Sequence, residues 1–238
     1  MGLTPDSVSL WESLRHGADP ERALAIVHAP AAARPALTTL FLLDLRFGEI
    51  LAATRDPQIG AMRLTWWREA LEKLDITPPP AEPLLEAVAE TLLPRGLSGD
   101  SLGEMEDGWY ALLEGDPPGA ELIRRHGAAR GGALFVLAGR LLAGEAADGS
   151  ADLLRAAGTG WALVDLSRRL SDPIASAEAR AQAVNALESI GKRRWPRSLR
   201  PLGMLARLAI IDAHAAAVAQ PGSPARMLRM AWHRLSGR

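Results

Sequence analysis

Pro30-Ala-Ala-Ala-Arg34-Pro-Ala-Leu-Thr-Thr-Leu40-Phe41-Leu-Leu-Asp44-Leu-Arg-Phe-Gly48-Glu49-Ile-Leu-Ala52 decides the fold class. Leu37, Leu40, Phe41, Phe47 and Leu51 recur on one stripe at three- and four-residue spacing, the period of a helix with a buried face. The same period returns in Ile59, Met62, Trp66, Ala70 and Leu74, and again in Leu153, Ala157, Trp161, Val164 and Leu166. Of the pair Trp66-Trp67, Trp66 is therefore expected in the core and Trp67 nearer the boundary. Long β-branched alternation is missing, which excludes an all-β reading. Asp19-Pro20-Glu21 and Asp56-Pro57 each place a capping acid before a proline at the first helical position. Pro78-Pro79-Pro80, Gly96–Asp100, Asp116–Gly119, Gly144–Ser150 and Gln220–Pro224 read as breaks. Nine or ten helices in one all-α domain spanning 1–238 are expected, a helical bundle with a central cavity.

The 238 residues carry a formal net charge of −1 and no cysteine. Disulfides, Cys-ligated zinc, iron–sulfur clusters and a cysteine nucleophile are thereby excluded. The charge is unevenly placed. Lys192 to Arg238 holds ten Lys/Arg against one acid, Asp212, while the rest of the chain is acidic. A basic end of this kind attracts either anionic surfaces or the chain's own acidic body. Within it, Arg226, Arg229 and His233 alternate with Met227, Met230, Trp232 and Leu235. That pattern suits an anionic lipid surface or a docked terminal helix. Met1–Leu10 has neither a basic start nor an apolar run, so no secretory signal is expected. Arg140, Arg207 and Asp212 interrupt the most apolar stretches, which read as core helices.

The common chemical motifs are missing. Gly191-Lys192 lacks the spacing of a phosphate-binding loop, and Gly158-Thr-Gly160 follows no strand. The five histidines never fall at metal-ligand spacing. Ser189-Ile-Gly-Lys192 lacks the companion elements of a Ser/Lys hydrolase. The basic end carries no nucleic-acid module, and nucleic acid is not an expected partner.

Two stretches resemble the squalene/phytoene synthase family. One is Pro30–Ala52, running on into Met62-Arg-Leu-Thr-Trp66-Trp67-Arg-Glu-Ala-Leu71; the other is Gly158-Thr-Gly-Trp161-Ala162-Leu-Val-Asp165-Leu-Ser-Arg168-Arg169-Leu-Ser-Asp172-Pro173. The resemblance implies an all-helical isoprenyl-diphosphate synthase fold. In that family, carboxylates on two facing helices hold Mg²⁺, which neutralises the leaving diphosphate. The first helix there carries Asp-Asp-x-x-Asp, at positions matching Gly48, Glu49 and Ala52 here, so Glu49 alone survives. The second carries Gln-x-x-Asn-x-x-Arg-Asp-x3-Asp, matched here by Ala162, Asp165, Arg168, Arg169 and Pro173. One ligand aspartate has become Arg169. The spacing predicts Asp165–Arg169 and Arg168–Asp172 ion pairs along one helix face.

No catalytic or metal-binding residue and no cofactor are therefore expected. Arg34 and Arg168, which the resemblance places near the phosphates, are candidates for holding an anion. The sequence around the tryptophans is similar to a non-catalytic branch of the family, the mitochondrial assembly factors for respiratory complex I and their bacterial relatives. That likeness implies a pseudoenzyme with a protein partner, a complex I subunit or intermediate, in the cytoplasm or peripherally on the inner face of an energy-transducing membrane. Two other readings stand beside it. One is an isoprenoid- or lipid-binding protein that uses the old cavity. The other is an active head-to-head prenyl transferase whose Mg²⁺ site is rebuilt from Glu49, Asp165 and Asp172 with help from Asp44.

Overall fold

The computed structural model describes residues 19–190, 193–215 and 219–238. Every regular element among them is helical. The first helix, α1 (Pro20–Val27), starts where the cap predicts: the Asp19 carboxylate accepts from the Glu21 and Arg22 amides at 3.1 and 2.9 Å. The long α2 (Arg34–Ala53) buries Leu37, Leu40, Phe41 and Phe47, as the periodicity requires. Then α3 (Pro57–Lys73) begins at Asp56, whose carboxylate accepts from the Gln58 amide at 2.9 Å. Beyond the proline run come α4 (Pro83–Thr91), the short α5 (Gly99–Gly103) and α6 (Glu106–Tyr110), and α7 (Ala120–His126). A π-helical segment, Gly127–Gly132, leads directly into α8 (Ala133–Ala143). Next are α9 (Ala151–Arg169), α10 (Pro173–Glu188), α11 (Arg200–His214) and α12 (Pro224–Ser236). Among the described residues there are twelve α-helices where nine or ten were expected, because the broken stretch 99–126 still forms three short ones.

A contiguous buried cluster runs from Ala25 to Met230, with α9 packed between α10, α11, α8 and the π-helical segment. The closest crossing is made by two glycines. A Cβ on Gly131 would lie 2.1 Å from the Gly158 carbonyl oxygen, and one on Gly158 would lie 2.0 Å from that of Gly131. Gly158, which carries no nucleotide chemistry, is there so that two backbones can touch. The contact delivers the neighbouring Arg130 to the face of α9.

One periodicity reading is corrected. On α3 the buried residues are Gly60, Leu64, Trp67, Ala70 and Leu71, whereas Ile59, Met62 and Trp66 are exposed (46, 73 and 48%). Trp67, not Trp66, is the core residue, its ring edge-on to Phe47 with centroids 6.3 Å apart. The stripes of the two tryptophans lie about 100° apart. The chain buries the one that includes Leu64 and Leu71, leaving an apolar row at i, i+3 and i+7 facing out.

Candidate functional site

The two motif helices, α2 and α9, are joined through charge. Asp44 sits inside the apolar run of α2 and is fully buried. An isolated carboxylate there would be prohibitively costly, so it must be paired. It accepts from Arg130 Nε at 2.8 Å and Nη2 at 3.2 Å, from Arg22 Nη1 at 3.1 Å and from Trp109 Nε1 at 3.2 Å. Arg130 turns its remaining Nη1 to Asp165 on α9, at 2.8 Å, and Asp165 accepts from Arg169 Nε at 3.0 Å. Arg22 Nε also lies 2.8 Å from an Asp19 carboxylate oxygen, so the result is an alternating chain, Asp19–Arg22–Asp44–Arg130–Asp165–Arg169, with three cations for three anions. Aromatic faces enclose the cations: the Arg130 guanidinium lies 4.2 Å from the Trp109 ring centre and 5.1 Å from that of Trp161.

The charge states follow from these neighbours. Burial alone pushes the Asp44 carboxyl up, but Arg130 and Arg22 outweigh it and hold it below the ordinary carboxylate range. Asp165 behaves alike: burial raises it, and Arg130 and Arg169 bring it far down. His126 lies edge-on to Trp109, and its Nδ1 is 2.6 Å from the Gly108 carbonyl oxygen. Burial first, and then the charge of Arg130, lower its pKa to about 3. The ring is therefore neutral, with Nδ1 donating to the carbonyl and Nε2 turned as acceptor toward Arg130 Nη1 at 3.4 Å.

Beside this chain opens a cleft of about 620 Å³. Gly48, Glu49 and Ala52 line it, with Arg130 and Arg169 opposite, and leucines of α2 and α9 supply apolar wall. The first motif thus does face Arg169 of the second across one opening. Gly48 is held in place by packing: a Cβ there would lie 2.9 Å from Cη2 of Trp109, the ring that donates to Asp44. Glu49 is exposed and paired with Arg46 of its own helix at 3.2 Å. Asp172 caps α10, accepting from the Ala175 amide at 2.7 Å, and Pro173 opens that helix.

Mg²⁺ does not fit these residues. A hard divalent cation needs clustered, unclaimed carboxylate oxygens, whereas Asp44 and Asp165 already share a guanidinium, Glu49 pairs with Arg46 and Asp172 serves a helix end. Among the described residues, no group of three or more His, Asp or Glu is placed to hold a metal ion.

The other predicted residues are distributed differently from expectation. Asp165–Arg169 forms as the spacing requires, with Arg169 exposed, but the half-buried Asp165 also binds the fully buried Arg130. The Arg168–Asp172 pair does not form: Arg168 Nη2 reaches Asp212 on α11 at 2.8 Å. At that point α9 is ending, and Asp172 has already turned to cap the next helix. Arg34 donates Nε to the Ala29 carbonyl at 3.0 Å, near the start of α2. It lines neither the 620 Å³ cleft nor the smaller one, of about 250 Å³, that Arg168 lines, so no two-arginine anion clamp is assembled in either.

A second arginine, Arg226 of α12, binds Asp212 through Nη1 at 2.6 Å and Nη2 at 2.9 Å, and also grips Glu21 of α1. The basic end of the chain therefore meets the acidic body in at least this contact. A wide depression of about 730 Å³ elsewhere is bordered by Arg68, Arg125 and Arg155. Each of these pairs with a nearby acid, Glu72, Asp107 and Asp152 respectively, and none stands at a position matching the two carboxylate motifs.

Sequence reasoning missed Arg22, Trp109, His126 and Arg130. Asp44 inside an apolar run was the available signal, since a buried carboxylate demands a buried cation. Nothing local in Gly127-Ala-Ala-Arg-Gly-Gly132 names Arg130 as that cation.

Comparison with curated proteins and with solved structures gave no match. The family model described as squalene/phytoene synthase matches residues 15–183, from before α1 into α10 and including both motif helices. That range is more than half of the chain, and with an all-helical fold whose two motif helices face one another it shows that the protein belongs to the squalene/phytoene synthase family.

Proposed function

We propose that this family member does not turn over prenyl diphosphates, and that its role is to engage a protein partner. The observation that carries this reading is the bridging of Asp44 and Asp165 by Arg130. A fixed guanidinium stands between the motif helices, binding carboxylates that a metal would otherwise need. The exposed row Ile59, Met62 and Trp66 on α3 supports the protein-partner part, because apolar residues in a row on a helix face are a usual docking surface. The likeness around those tryptophans to complex I assembly factors makes a respiratory complex I subunit or intermediate the partner to test.

Incubation with farnesyl or geranylgeranyl diphosphate, with and without Mg²⁺, tests the catalytic half. The expected result is no Mg²⁺-dependent release of diphosphate. Release that disappears in Glu49→Gln with Asp165→Asn would overturn the proposal and restore the prenyl transferase reading. Binding of purified complex I intermediates tests the other half. It is expected to weaken at least tenfold in Met62→Ser with Trp66→Ser, since two exposed anchors are removed while the core residue Trp67 stays.

A second reading has an observation of its own. The 620 Å³ cleft combines leucine walls (Leu42, Leu45, Leu166, Leu170) with Arg46, Arg130 and Arg169. Apolar walls under a basic rim suit an amphiphilic anion such as an isoprenoid diphosphate. Binding without release, abolished by Arg169→Gln, would favour an isoprenoid carrier over a partner-binding scaffold.

A further inference from the structure

The last helix is turned inside out. Arg226, Met230 and His233 are buried (1, 0 and 2% exposed), and they face α11 and α1. Leu228, Trp232 and Leu235 are exposed by 71, 66 and 76%. At about 100° per residue, those three lie within an arc of roughly 60°, centred opposite the buried three. This differs from the alternation read in the sequence, which grouped Met230 with Trp232 and Arg226 with Arg229. A helix that merely completed the core would turn its leucines and tryptophan inward. Here Arg226 is claimed by Asp212 and Glu21, and that bond fixes the apolar face outward.

What surrounds this face is basic. Arg229 is exposed on one flank, and Arg234 stands on the other. At the helix end, Arg200 donates Nη1 to the carbonyls of Arg234 and Leu235 at 3.1 and 2.8 Å. Arg194 donates Nε to that of Ser236 at 3.3 Å. Burial, and then the charges of Arg194, Arg197 and Arg234, lower the pKa of Arg200, which shows how closely the guanidiniums gather there. The only acid from 193 to 238 is Asp212, and it is buried against Arg226 and Arg168. No helix among the described residues is long and apolar enough to cross a membrane. The helix also lies beyond the family match, which ends at residue 183.

We infer that α12 is a surface anchor for an anionic lipid bilayer, with Leu228, Trp232 and Leu235 entering the headgroup boundary and Arg194, Arg229 and Arg238 meeting the phosphates. The chemistry favours lipid over a protein surface. A tryptophan between leucines, bordered by long basic side chains that extend toward headgroups, is the arrangement an interface selects. Each arginine near an anionic surface strengthens attachment by about fivefold. The helix is held from behind by its own ion pairs, so ordering it on the bilayer costs little conformational entropy.

The full chain should sediment with vesicles of equal parts phosphatidylglycerol and phosphatidylcholine, much less with phosphatidylcholine alone, and be released by high salt. Leu228→Ser with Trp232→Ser should weaken the association more than tenfold, and Arg229→Gln with Arg238→Gln by about 25-fold if each contributes as above. Thermal unfolding should be unchanged in both variants, because these side chains point away from the core. Equal binding to both vesicle types, or variants that bind like the parent, would overturn the inference. So would a dimer in solution that Trp232→Ser makes monomeric while no vesicle type pellets the protein. In that case a second copy covers the face.

Discussion

Arg130 and Arg226 each hold a pair of acids, and they differ in what breaking them would expose. Arg130 lies between α2 and α9 under Trp109 and Trp161, and its partners are carried on helices packed on several sides. Arg226 belongs to a terminal helix whose opposite face is already in water, and its partner Glu21 sits in the first turn of α1. If the Arg130 bridge fails, Asp44 stays fixed on a helix packed on several sides, and water can reach it only from the adjoining 620 Å³ cleft. If the Arg226 bridge fails, α12 can lift and let water reach Asp212 and Glu21. A buried ion pair is thus costly to break in proportion to how much structure must open to hydrate what remains.

The largest expected effect follows from that difference. Arg130→Met should destabilise the fold by about 3 kcal/mol, the low end of the cost of removing one partner from a buried ion pair, because Asp44 keeps Arg22 and Trp109. Replacing its partner too, in Arg130→Met with Asp44→Leu, should recover part of the loss, since no unpaired carboxylate is left. Chemical denaturation of the two variants measures both. A double variant worse than the single one would mean that Asp44 is held by Arg22 and Trp109 alone.

Arg226→Met should cost less, about 2 kcal/mol, because Asp212 keeps Arg168 and undocking limits the penalty. The loss should appear in amide exchange as faster opening confined to α12 and α1. Global destabilisation as large as that of Arg130→Met would remove the distinction between the two regions.

The parts of this architecture that the sequence made legible are those set by local rules. Proline after a capping acid fixed the starts of α1 and α3, and the three-to-four spacing identified the buried faces of α2 and α9. The motif positions Gly48, Glu49, Ala52 and Arg169 line one opening, whereas Asp165 and Arg168 line a different, smaller one. Where a choice depended on tertiary contact, local rules failed. Two apolar stripes compete on α3, and only packing against Phe47 decides for Trp67. Arg168 had two acids to choose from, one four residues away and one on α11, and geometry at the helix end selected the distant one. Arg130 is 86 residues from Asp44 and 35 from Asp165, so no window of sequence contains the bridge.

Acid should act on both regions through their histidines. His126, beside Arg130, and His233, on the inward face of α12, have pKa values lowered to about 3 and about 4, in each case first by burial. A histidine buried neutral takes up its proton more readily when unfolded, with a pKa near 6.5. Its stabilising contribution is therefore fully present above about pH 6.5 and is lost as pH falls toward the folded value. Each should add a slope of about 1.4 kcal/mol per pH unit within its window. Asp44 and Asp165, whose folded pKa values are depressed, add to the loss only below about pH 4. In His233→Leu the slope of stability between pH 6 and pH 5 should fall by about 1 kcal/mol per pH unit. An unchanged slope would mean that water already reaches His233 in the folded protein.

The smallest effect expected is also informative about the old metal site. Glu49 is 66% exposed, and its pair with Arg46 is a surface contact between neighbouring turns. Such pairs contribute about 0.3–0.5 kcal/mol, so Glu49→Gln should change stability by no more than that. The change should be the same with and without Mg²⁺, because the carboxylates that would complete a coordination shell are held by Arg130, Arg169 and the start of α10. If Mg²⁺ raised the melting temperature of the parent but not of Glu49→Gln, a cation would be bound at the first motif after all. Arg130 would then be a neighbour of the metal rather than its replacement, and the contrast between a bridge packed among interior helices and one on the last helix would need to be redrawn around that ion.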